Sequence, residues 1–161
     1  MSTEIRNALP ADVLAIIGLM REFAEFERVS EYLEITEEKL LAAMFAPGAY
    51  VEGLIALDAG TPVGYAIFYP NFLTFRGQQG YFLEDLFVSE AGRRQGLGEK
   101  MLRMVAGMAK KRGFERIDFL VLDWNQPAID FYRKLGAGIA DDETHFKFTD
   151  DAFRDLCGDA A

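Results

Sequence analysis

The sequence has very few of the residues that build disulfides and metal centres. Cys157 is its only cysteine and His145 its only histidine among 161 residues. A single thiol cannot form an internal disulfide, and one histidine with one cysteine cannot complete the usual zinc sites. A Ser-His-Asp or Cys-His catalytic device would need His145, whose neighbours at 143–147 do not resemble one. We therefore predict no metal site and no catalytic triad.

Basic residues and long apolar runs are also scarce. The chain has 17 Lys and Arg against 26 Asp and Glu, which gives a net charge of −9 at pH 7. Such a surface repels nucleic acid phosphates and anionic lipids, so binding to either is not expected. No apolar run reaches the ~20 residues of a membrane span, and residues 1–6 carry no apolar signal region. These features predict a soluble cytoplasmic protein.

Hydrophobic residues, by contrast, are abundant enough for a packed core. They make up 50% of the chain, and 13% of all residues are aromatic. No repeat, low-complexity tract or Pro/Ser-rich linker interrupts the sequence. We therefore predict a single domain over residues 1–161.

Hydrophobic spacing and turn residues predict alternating strands and helices. Apolar intervals of three and four indicate helices over residues 13–27, 36–47, 96–112 and 127–135, and a terminal helical turn over 150–156. Strand patterns cover residues 4–8, 50–57, 63–69, 81–88, 114–122 and 146–148. The strands at 50–57 and 63–69 are joined by a short turn and predict an antiparallel hairpin. Since strand, helix and strand follow one another from 81 to 122, we expect a parallel crossover and an α/β fold with a mixed sheet.

The strongest chemical signal lies where a buried strand leads into a helix. It consists of Leu86-Phe87-Val88, a polar turn, and then Arg93-Arg94-Gln95-Gly96-Leu97-Gly98-Glu99. Glycine lets backbone N–H groups approach a ligand, and a helix start exposes about four unpaired N–H groups at the positive end of its dipole. This combination predicts a binding site for a diphosphate, with Arg93 and Arg94 supplying positive charge.

Two better-known glycine-rich loops do not fit this segment. A Walker loop needs Gly-Lys-Ser/Thr, whereas Gly98 is followed by Glu99. A dinucleotide fingerprint needs a third glycine where Met101 stands, although Asp118 does lie twenty residues beyond Gly98. A plain helix start, whose glycines serve only the turn, stays open as an alternative.

The same segment resembles the acetyl-CoA loop of the GCN5-related N-acetyltransferases, Gln/Arg-x-x-Gly-x-Gly/Ala. A second block, residues 123–137, is similar to that family's Asn-x-x-Ala-x-x-Phe-Tyr-x-x-x-Gly-Phe segment, with Ala137 in place of the last Phe. Over nearly its whole length the chain resembles the diamine and thialysine acetyltransferase branch in particular. The resemblance implies acetyl transfer from acetyl-CoA to a primary amine of a small basic metabolite, in a homodimer. It also implies a splayed strand pair, 81–88 and 114–122, into which pantetheine fits like an extra strand.

The resemblance further assigns roles to particular residues. Tyr132 is implied as the general acid for the leaving thiolate, and Glu84 as the base or as the group that holds the ammonium. Cofactor contacts are implied for Leu86, Phe87, Val88, residues 93–99, Asn125, Pro127, Ala128 and Tyr132. Acceptor contacts are implied for Phe26, Glu27, Glu84, Asp118, Phe119 and Leu120.

Residue spacing adds two expectations to these roles. Asn125 and Tyr132 are seven residues apart, two helical turns, and should face the same side. Asp85 follows Glu84 on a strand and should point to the opposite face, so that only one of the two serves the cleft. Packing against Phe131 remains an alternative role for Tyr132. For Glu84, the alternative is a solvent-exposed carboxylate without a catalytic role.

Residues 138–145 depart from the diamine branch. The segment is shorter here and lacks the Trp-Arg pair found before the last strand, so the resemblance does not fix polyamine specificity. The acidic run at 141–143 is either a solvated turn or a second site for positive charge. Two other functions stay open: acetylation of a protein or peptide amine, and non-catalytic acyl-CoA sensing.

Overall fold

The computed structural model describes residues 2–158, in which five strands form one sheet in chain order. These strands are β1 (Thr3–Asn7), β2 (Glu52–Asp58), β3 (Thr61–Leu73), β4 (Gln78–Val88) and β5 (Arg116–Asp118). Strands β1 to β4 pair antiparallel with one another, and β5 pairs parallel with β4. The predicted hairpin, the parallel crossover and the mixed sheet are therefore confirmed.

Five helices accompany the strands along the described part of the chain. They are α1 (Val13–Phe26), α2 (Glu37–Phe45), α3 (Leu97–Lys111), α4 (Gln126–Lys134) and α5 (Asp150–Cys157). The Thr36 hydroxyl accepts a 3.1 Å hydrogen bond from the Lys39 backbone N–H, so it caps the start of α2. All five helix predictions agree with the structure to within about two residues. The chain divides into two compact units, Met1–Leu122 and Asp123–Ala161.

Each face of the sheet in the first unit has its own apolar core. On the face covered by α1 and α2, which we call the α1 face, the core holds Val13, Ile16, Ile17, Leu40, Ile55, Tyr65, Ile67 and Phe87. On the opposite face, the α3 face, it holds Leu54, Ala66, Phe68, Tyr81, Leu83, Leu97, Met101 and Val105. Burial on both sides explains why the central strands are almost wholly apolar.

The predicted strand at 114–122 is much shorter in the structure. Only three residue pairs join β5 to β4, and they end at Phe82 opposite Asp118. Between Asp118 and Gly158 no strand is formed, and Leu120 is 63% exposed rather than buried. The run is apolar enough for a buried strand, but β5 has a neighbour on one side only and loses it at Asp118. The parallel pairing of β4 with this segment thus ends at Asp118.

A second strand prediction, at 146–148, is wrong. These residues carry no regular structure, and Phe146 is 86% exposed. Their apolar-polar alternation suits a strand, but no described strand pairs with them, and an unpaired strand is not stable in water.

One extra residue interrupts the pairing of β3 with β4. Ile67 lies opposite Asp85 while its neighbour Phe68 lies opposite Leu83, so Glu84 has no partner of its own. Such a β-bulge shifts the alternation of side chains by one residue. Tyr81 and Leu83 therefore face α3 before the bulge, and Leu86 and Val88 face it afterwards.

Candidate active site

The loop that connects β4 to α3, residues 89–96, is held against the sheet by backbone and side-chain contacts. The Ser89 N–H donates a 2.8 Å hydrogen bond to the Val63 carbonyl on β3. Gly92 packs so tightly on Val63 that an added Cβ would lie 2.8 Å from the valine Cβ. The Gln95 side chain donates a 3.1 Å hydrogen bond to Asp58 at the end of β2. These contacts fix the approach of the chain to the start of α3.

The start of α3 presents backbone N–H groups to open space. Gly96 caps the helix with φ at 68°, and its carbonyl accepts the first helical hydrogen bond, from Lys100, at 3.1 Å. Helix geometry leaves the N–H groups of Leu97, Gly98 and Glu99 without an intrahelical acceptor. A Cβ built at Gly96 would have no atom within 4 Å, so the space beside this residue is open. The geometry fits the predicted diphosphate site.

Two arginines and an acid surround this helix start. The Arg93 guanidinium lies 5.6 Å from the centre of the Phe26 ring, at the end of α1. Arg94 has φ at 69°, a left-handed conformation that an L-residue adopts only at a cost. The Glu99 carboxylate accepts a 2.8 Å hydrogen bond from Arg103 one turn later, so an arginine balances its charge. The structure therefore brings together Arg93 and Phe26, which the resemblance assigns to different ligands.

Beyond Phe82, no described strand pairs with the side of β4 that faces β5. The side chains of this stretch are occupied: Phe87 stacks on Phe23 with ring centres 4.9 Å apart, and Leu86 and Val88 pack on the α3 face. Their backbone groups toward β5 are what remains available for a ligand. An extended ligand can add to such an edge as a strand would.

Two tyrosines of β3 bind the two neighbouring carboxylates of β4. The Tyr65 hydroxyl donates a 3.0 Å hydrogen bond to Asp85, and the Tyr69 hydroxyl donates a 3.1 Å hydrogen bond to Glu84. Tyr65 and Tyr69 are four residues apart on a regular strand and lie on the α1 face together. Glu84 and Asp85 therefore point to the same face. The prediction of opposite faces is wrong because the bulge at Glu84 adds a residue to the alternation.

Glu27, directly after α1, completes a group of acids that we call the acidic trio, Glu27, Glu84 and Asp85. Burial, together with the charge of Glu84, raises the pKa of Asp85 to about 6, although the hydrogen bond from Tyr65 acts against this shift. Burial and the charge of Asp85 likewise raise the pKa of Glu27. The trio thus concentrates negative charge that a bound cation would relieve.

Aromatic rings line the outer side of the trio. Tyr69 stacks on Phe82 with ring centres 5.5 Å apart, and Tyr50 meets Tyr69 edge-on at 6.0 Å. Burial, followed by the charge of Glu84, raises the pKa of Tyr69 to about 12, so its hydroxyl stays protonated and donates to Glu84 at neutral pH. The result is an apolar wall next to an acidic group.

The remaining predicted acceptor residues of the first unit lie at β5. Arg116 binds the Asp118 carboxylate through two hydrogen bonds of 2.6 and 2.8 Å, and these hydrogen bonds lower the pKa of Asp118. Asp118 therefore has its charge balanced within the protein, unlike the acidic trio. Phe119 packs on the α3 face and Leu120 is exposed.

The second unit contains the other predicted cofactor residues. Asn125 is buried, and its side-chain oxygen accepts a 3.3 Å hydrogen bond from the Ala128 N–H, which caps α4; Pro127 lies in the first turn. Tyr132 is half-buried on the same helix, and its ring meets Phe131 edge-on at 5.0 Å. The acidic run at 141–143 is exposed.

Asp85 and its tyrosine partner are the site residues that sequence reasoning missed. A signal for them exists in the apolar pattern of β4. Its α3-facing residues Tyr81, Leu83, Leu86 and Val88 are separated by two, three and two positions instead of two throughout. Such an interruption of the period of two indicates a bulge between Leu83 and Leu86. Tyr65 carries no comparable signal, because a tyrosine in an apolar strand is as readily a packing residue.

Comparison with known proteins decides the family. Residues 16–137 match the model of the acetyltransferase (GNAT) family. The chain belongs to this family. Like other GNAT acetyltransferases it is an acyl-CoA-dependent N-acetyltransferase, which confirms the family and activity expected from the sequence.

Near full-length relatives of this GNAT chain act on small amines, according to their names. A thialysine N-epsilon-acetyltransferase of Bos taurus is 36% identical over 165 residues, which cover 96% of both chains. An L-ornithine N5-acetyltransferase of Arabidopsis thaliana is 28% identical and covers 96% of this chain and 87% of its own. Among solved structures, an integron cassette protein of Vibrio cholerae superposes with a TM-score of 0.82 at 22% identity, over 98% of this chain and 99% of its own. That likeness supports the fold.

Two kinds of feature are absent from residues 2–158. No helix there combines the length and the apolar character that crossing a bilayer would require. Within the same residues, no group of three or more His, Cys, Asp and Glu side chains is arranged to hold a metal ion.

Proposed function

We propose that this GNAT enzyme transfers acetyl from acetyl-CoA to a primary amine of a small metabolite with more than one positive charge. A diamine, a polyamine and a thialysine-like amino acid belong to this class. The acidic trio carries the proposal, because three neighbouring carboxylates on one face favour a ligand with cationic groups. The names of the relatives, which specify the Nε atom of thialysine and the N5 atom of ornithine, support the same class.

The acetyl-CoA contacts follow from the geometry around β4 and α3. The N–H groups of Leu97, Gly98 and Glu99 would bind the diphosphate, with Arg93 and Arg94 adding positive charge. The backbone of β4 at residues 86–88 would bind pantetheine along the splayed edge. By the resemblance, Asn125, Pro127, Ala128 and Tyr132 would also contact acetyl-CoA.

The chemistry requires a proton to leave the amine and a proton to reach the sulfur. A lysine-like amine has a pKa near ~10.4 and is a cation at neutral pH, whereas only the neutral amine attacks a thioester. A carboxylate of the trio holds the ammonium and accepts its proton, a role for which the sequence puts forward Glu84. As the C–S bond breaks, Tyr132 donates a proton to the thiolate, since a phenol of pKa ~10 can protonate a thiolate of pKa ~8.5.

An acceptor panel tests the proposed substrate class. Thiol release from acetyl-CoA is measured with dibasic amines, with monoamines, with an arylalkylamine at a pH high enough to keep it neutral, and with basic peptides. The results are compared as kcat/KM. We expect dibasic metabolites to exceed matched monoamines by at least tenfold, because they alone neutralise more than one carboxylate. Faster turnover of peptides favours the protein-acetylating alternative. Acetyl-CoA binding without thiol release from any amine favours the sensor.

Replacement of Tyr132 tests the general acid. Tyr132→Phe should lower kcat by about 10²–10³-fold and leave the Kd for acetyl-CoA, measured by calorimetry, within a factor of about two. Tyr32→Phe is a matched control, because Tyr32 is exposed and belongs to no proposed contact. Equal losses of turnover and cofactor binding in Tyr132→Phe would instead assign this side chain to packing.

A homodimer in the cytoplasm is proposed on the family resemblance alone. Light scattering coupled to gel filtration should give about 36 kDa, twice the 18.1 kDa of one chain. A mass of one chain at assay concentration contradicts the dimer.

A further inference from the structure

The two carboxylates of β4 differ in their surroundings although they are adjacent. Asp85 is partly buried, and its partner Tyr65 is only 1% exposed, within the core of the α1 face. Glu84 is exposed, and its partner Tyr69 is partly exposed. Asp85 is therefore held by a rigid partner, whereas Glu84 is held at the protein surface.

The hydrogen bond from Tyr65 leaves part of Asp85 available. Tyr65 donates to Oδ2 of Asp85 at 3.0 Å. A carboxylate accepts several hydrogen bonds, so the second oxygen, Oδ1, can take one from a ligand. Because Tyr65 is packed among Ile55, Ile67 and Phe87, it fixes one orientation of the carboxylate.

We propose that Asp85, rather than Glu84, accepts the proton of the bound ammonium, and that Tyr65 is a positioning residue that holds Asp85 for this step. The inference rests on the proposed function and deepens it. Glu84 then holds positive charge at the outer side of the trio, next to the aromatic wall.

Proton affinity favours this division of roles. A general base works best when its pKa lies near the operating pH, and burial brings the pKa of Asp85 to about 6. The titratable groups that face Asp85 are Tyr65 from β3, Glu84 from β4 and Glu27 from the end of α1. Burial raises the pKa of the Tyr65 hydroxyl far above its ordinary value, so Tyr65 remains a hydrogen-bond donor at every working pH.

The step balances in protons and electrons. One N–H proton of the ammonium moves to Oδ1 of Asp85 and from there to water. The nitrogen lone pair that it leaves forms the C–N bond to the acetyl carbon. As that bond forms the nitrogen loses a second proton, and as the C–S bond breaks the leaving sulfur gains one. Each turnover therefore releases one proton to solvent.

The two tyrosines provide a matched pair of variants. Tyr65→Phe removes the hydroxyl that stabilises ionised Asp85, and Tyr69→Phe removes the equivalent hydroxyl from Glu84. The acid limb of kcat/KM against pH, measured with one diamine, reports the essential base of the free enzyme. We expect this limb near pH 6 in the unmodified enzyme, about one pH unit higher in Tyr65→Phe, and unmoved in Tyr69→Phe.

Other outcomes overturn the assignment. A limb that moves only in Tyr69→Phe makes Glu84 the base, and a limb that moves in neither variant removes Tyr65 from proton transfer. If Tyr65→Phe does not fold, Asp85→Asn serves instead: it must lose the acid limb along with most of its turnover. A limb that persists in Asp85→Asn contradicts the proposal. Failure of the unmodified enzyme to acetylate any amine would concern the proposed function, and the variants would then not be compared.

Discussion

The β4–α3 loop and the acidic trio are built in opposite ways. The loop offers backbone N–H groups from consecutive residues of one segment, whose shape depends on the conformation of Gly96. The trio offers side chains from the end of α1 and from β4, brought together by the register of β3 with β4. We expect the loop to tolerate changes of side chain that keep its backbone shape. The trio should tolerate little change of side chain, because its carboxylates are themselves the groups proposed to bind the amine.

Loss of one carboxylate from the trio should have the largest effect. Asp85→Asn keeps the shape and the hydrogen bond from Tyr65 but cannot take up a proton. We expect kcat/KM for a diamine to fall by about 10²–10³-fold while the Kd for acetyl-CoA stays unchanged. Glu115→Gln, which removes an exposed carboxylate outside both regions, is the control and should retain full turnover. A matching loss of acetyl-CoA affinity in Asp85→Asn would mean that the two regions are not separate.

A backbone change should affect the loop instead. Gly96→Val places a β-branched residue at φ of 68° and should weaken acetyl-CoA binding by about tenfold or more, because the helix start must rearrange. Gly107→Ala, within α3 and also without atoms near its added Cβ, should bind acetyl-CoA normally and gain up to ~1 kcal/mol of stability. Calorimetric titration with CoA distinguishes the two variants. Unchanged affinity in Gly96→Val removes the loop from the cofactor site.

The acidic trio should also make stability depend on pH. The pKa of Asp85 is raised from its ordinary value of 3.8 to about 6, so the folded state binds this proton more tightly than the unfolded state. The resulting stability is present below about pH 4 and is lost as the pH rises to about 6. Asp85→Asn has no proton to lose. Its free energy of unfolding at pH 8 should therefore exceed that of the unmodified protein by on the order of 2 kcal/mol. Urea titrations at pH 4 and pH 8 check this, and an equal difference at both values would contradict it.

The smallest expected effect concerns the residue that joins the two regions. Arg93 contacts Phe26 through its guanidinium, a cation–π contact worth about 0.5–1 kcal/mol at an exposed site. Arg93→Ala should therefore raise both the Kd for acetyl-CoA and the KM for the amine, each by about two- to fivefold. Arg94→Ala should raise the Kd alone. Identical behaviour of the two variants would show that Phe26 does not depend on Arg93.

The conformation of the loop was predictable because it is set by residues that are close together in the sequence. The residues from Arg93 to Glu99 follow one another, and the conformation of a helix start is set within a few positions. The helices were predictable for a similar reason, since an apolar period near 3.6 identifies them along a single stretch of chain. Both α1 and α3 accordingly begin within a residue of their predicted start.

The trio and the strand ends depend on partners that are distant in sequence. Whether residues 119–122 form a strand depends on where β4 turns away, and whether Asp85 faces α1 depends on one unpaired residue opposite β3. A sequence pattern records the preference of a segment but not the position of its neighbour. The apolar strand predicted at 146–148 fails on the same ground.

The additional residue at Glu84 has a mechanical consequence for the sheet. A bulge bends its strand and increases the local twist, and this one lies two positions after Phe82, the last residue of β4 that pairs with β5. The bend that turns Asp85 toward α1 is therefore also suited to draw β4 away from its neighbour. Deleting this single residue would restore regular pairing, with Asp85 still opposite Ile67, and would remove the carboxylate of Glu84 from the acidic trio. The bend of β4 and the composition of the acidic trio therefore depend on the same residue, and a single deletion would change both.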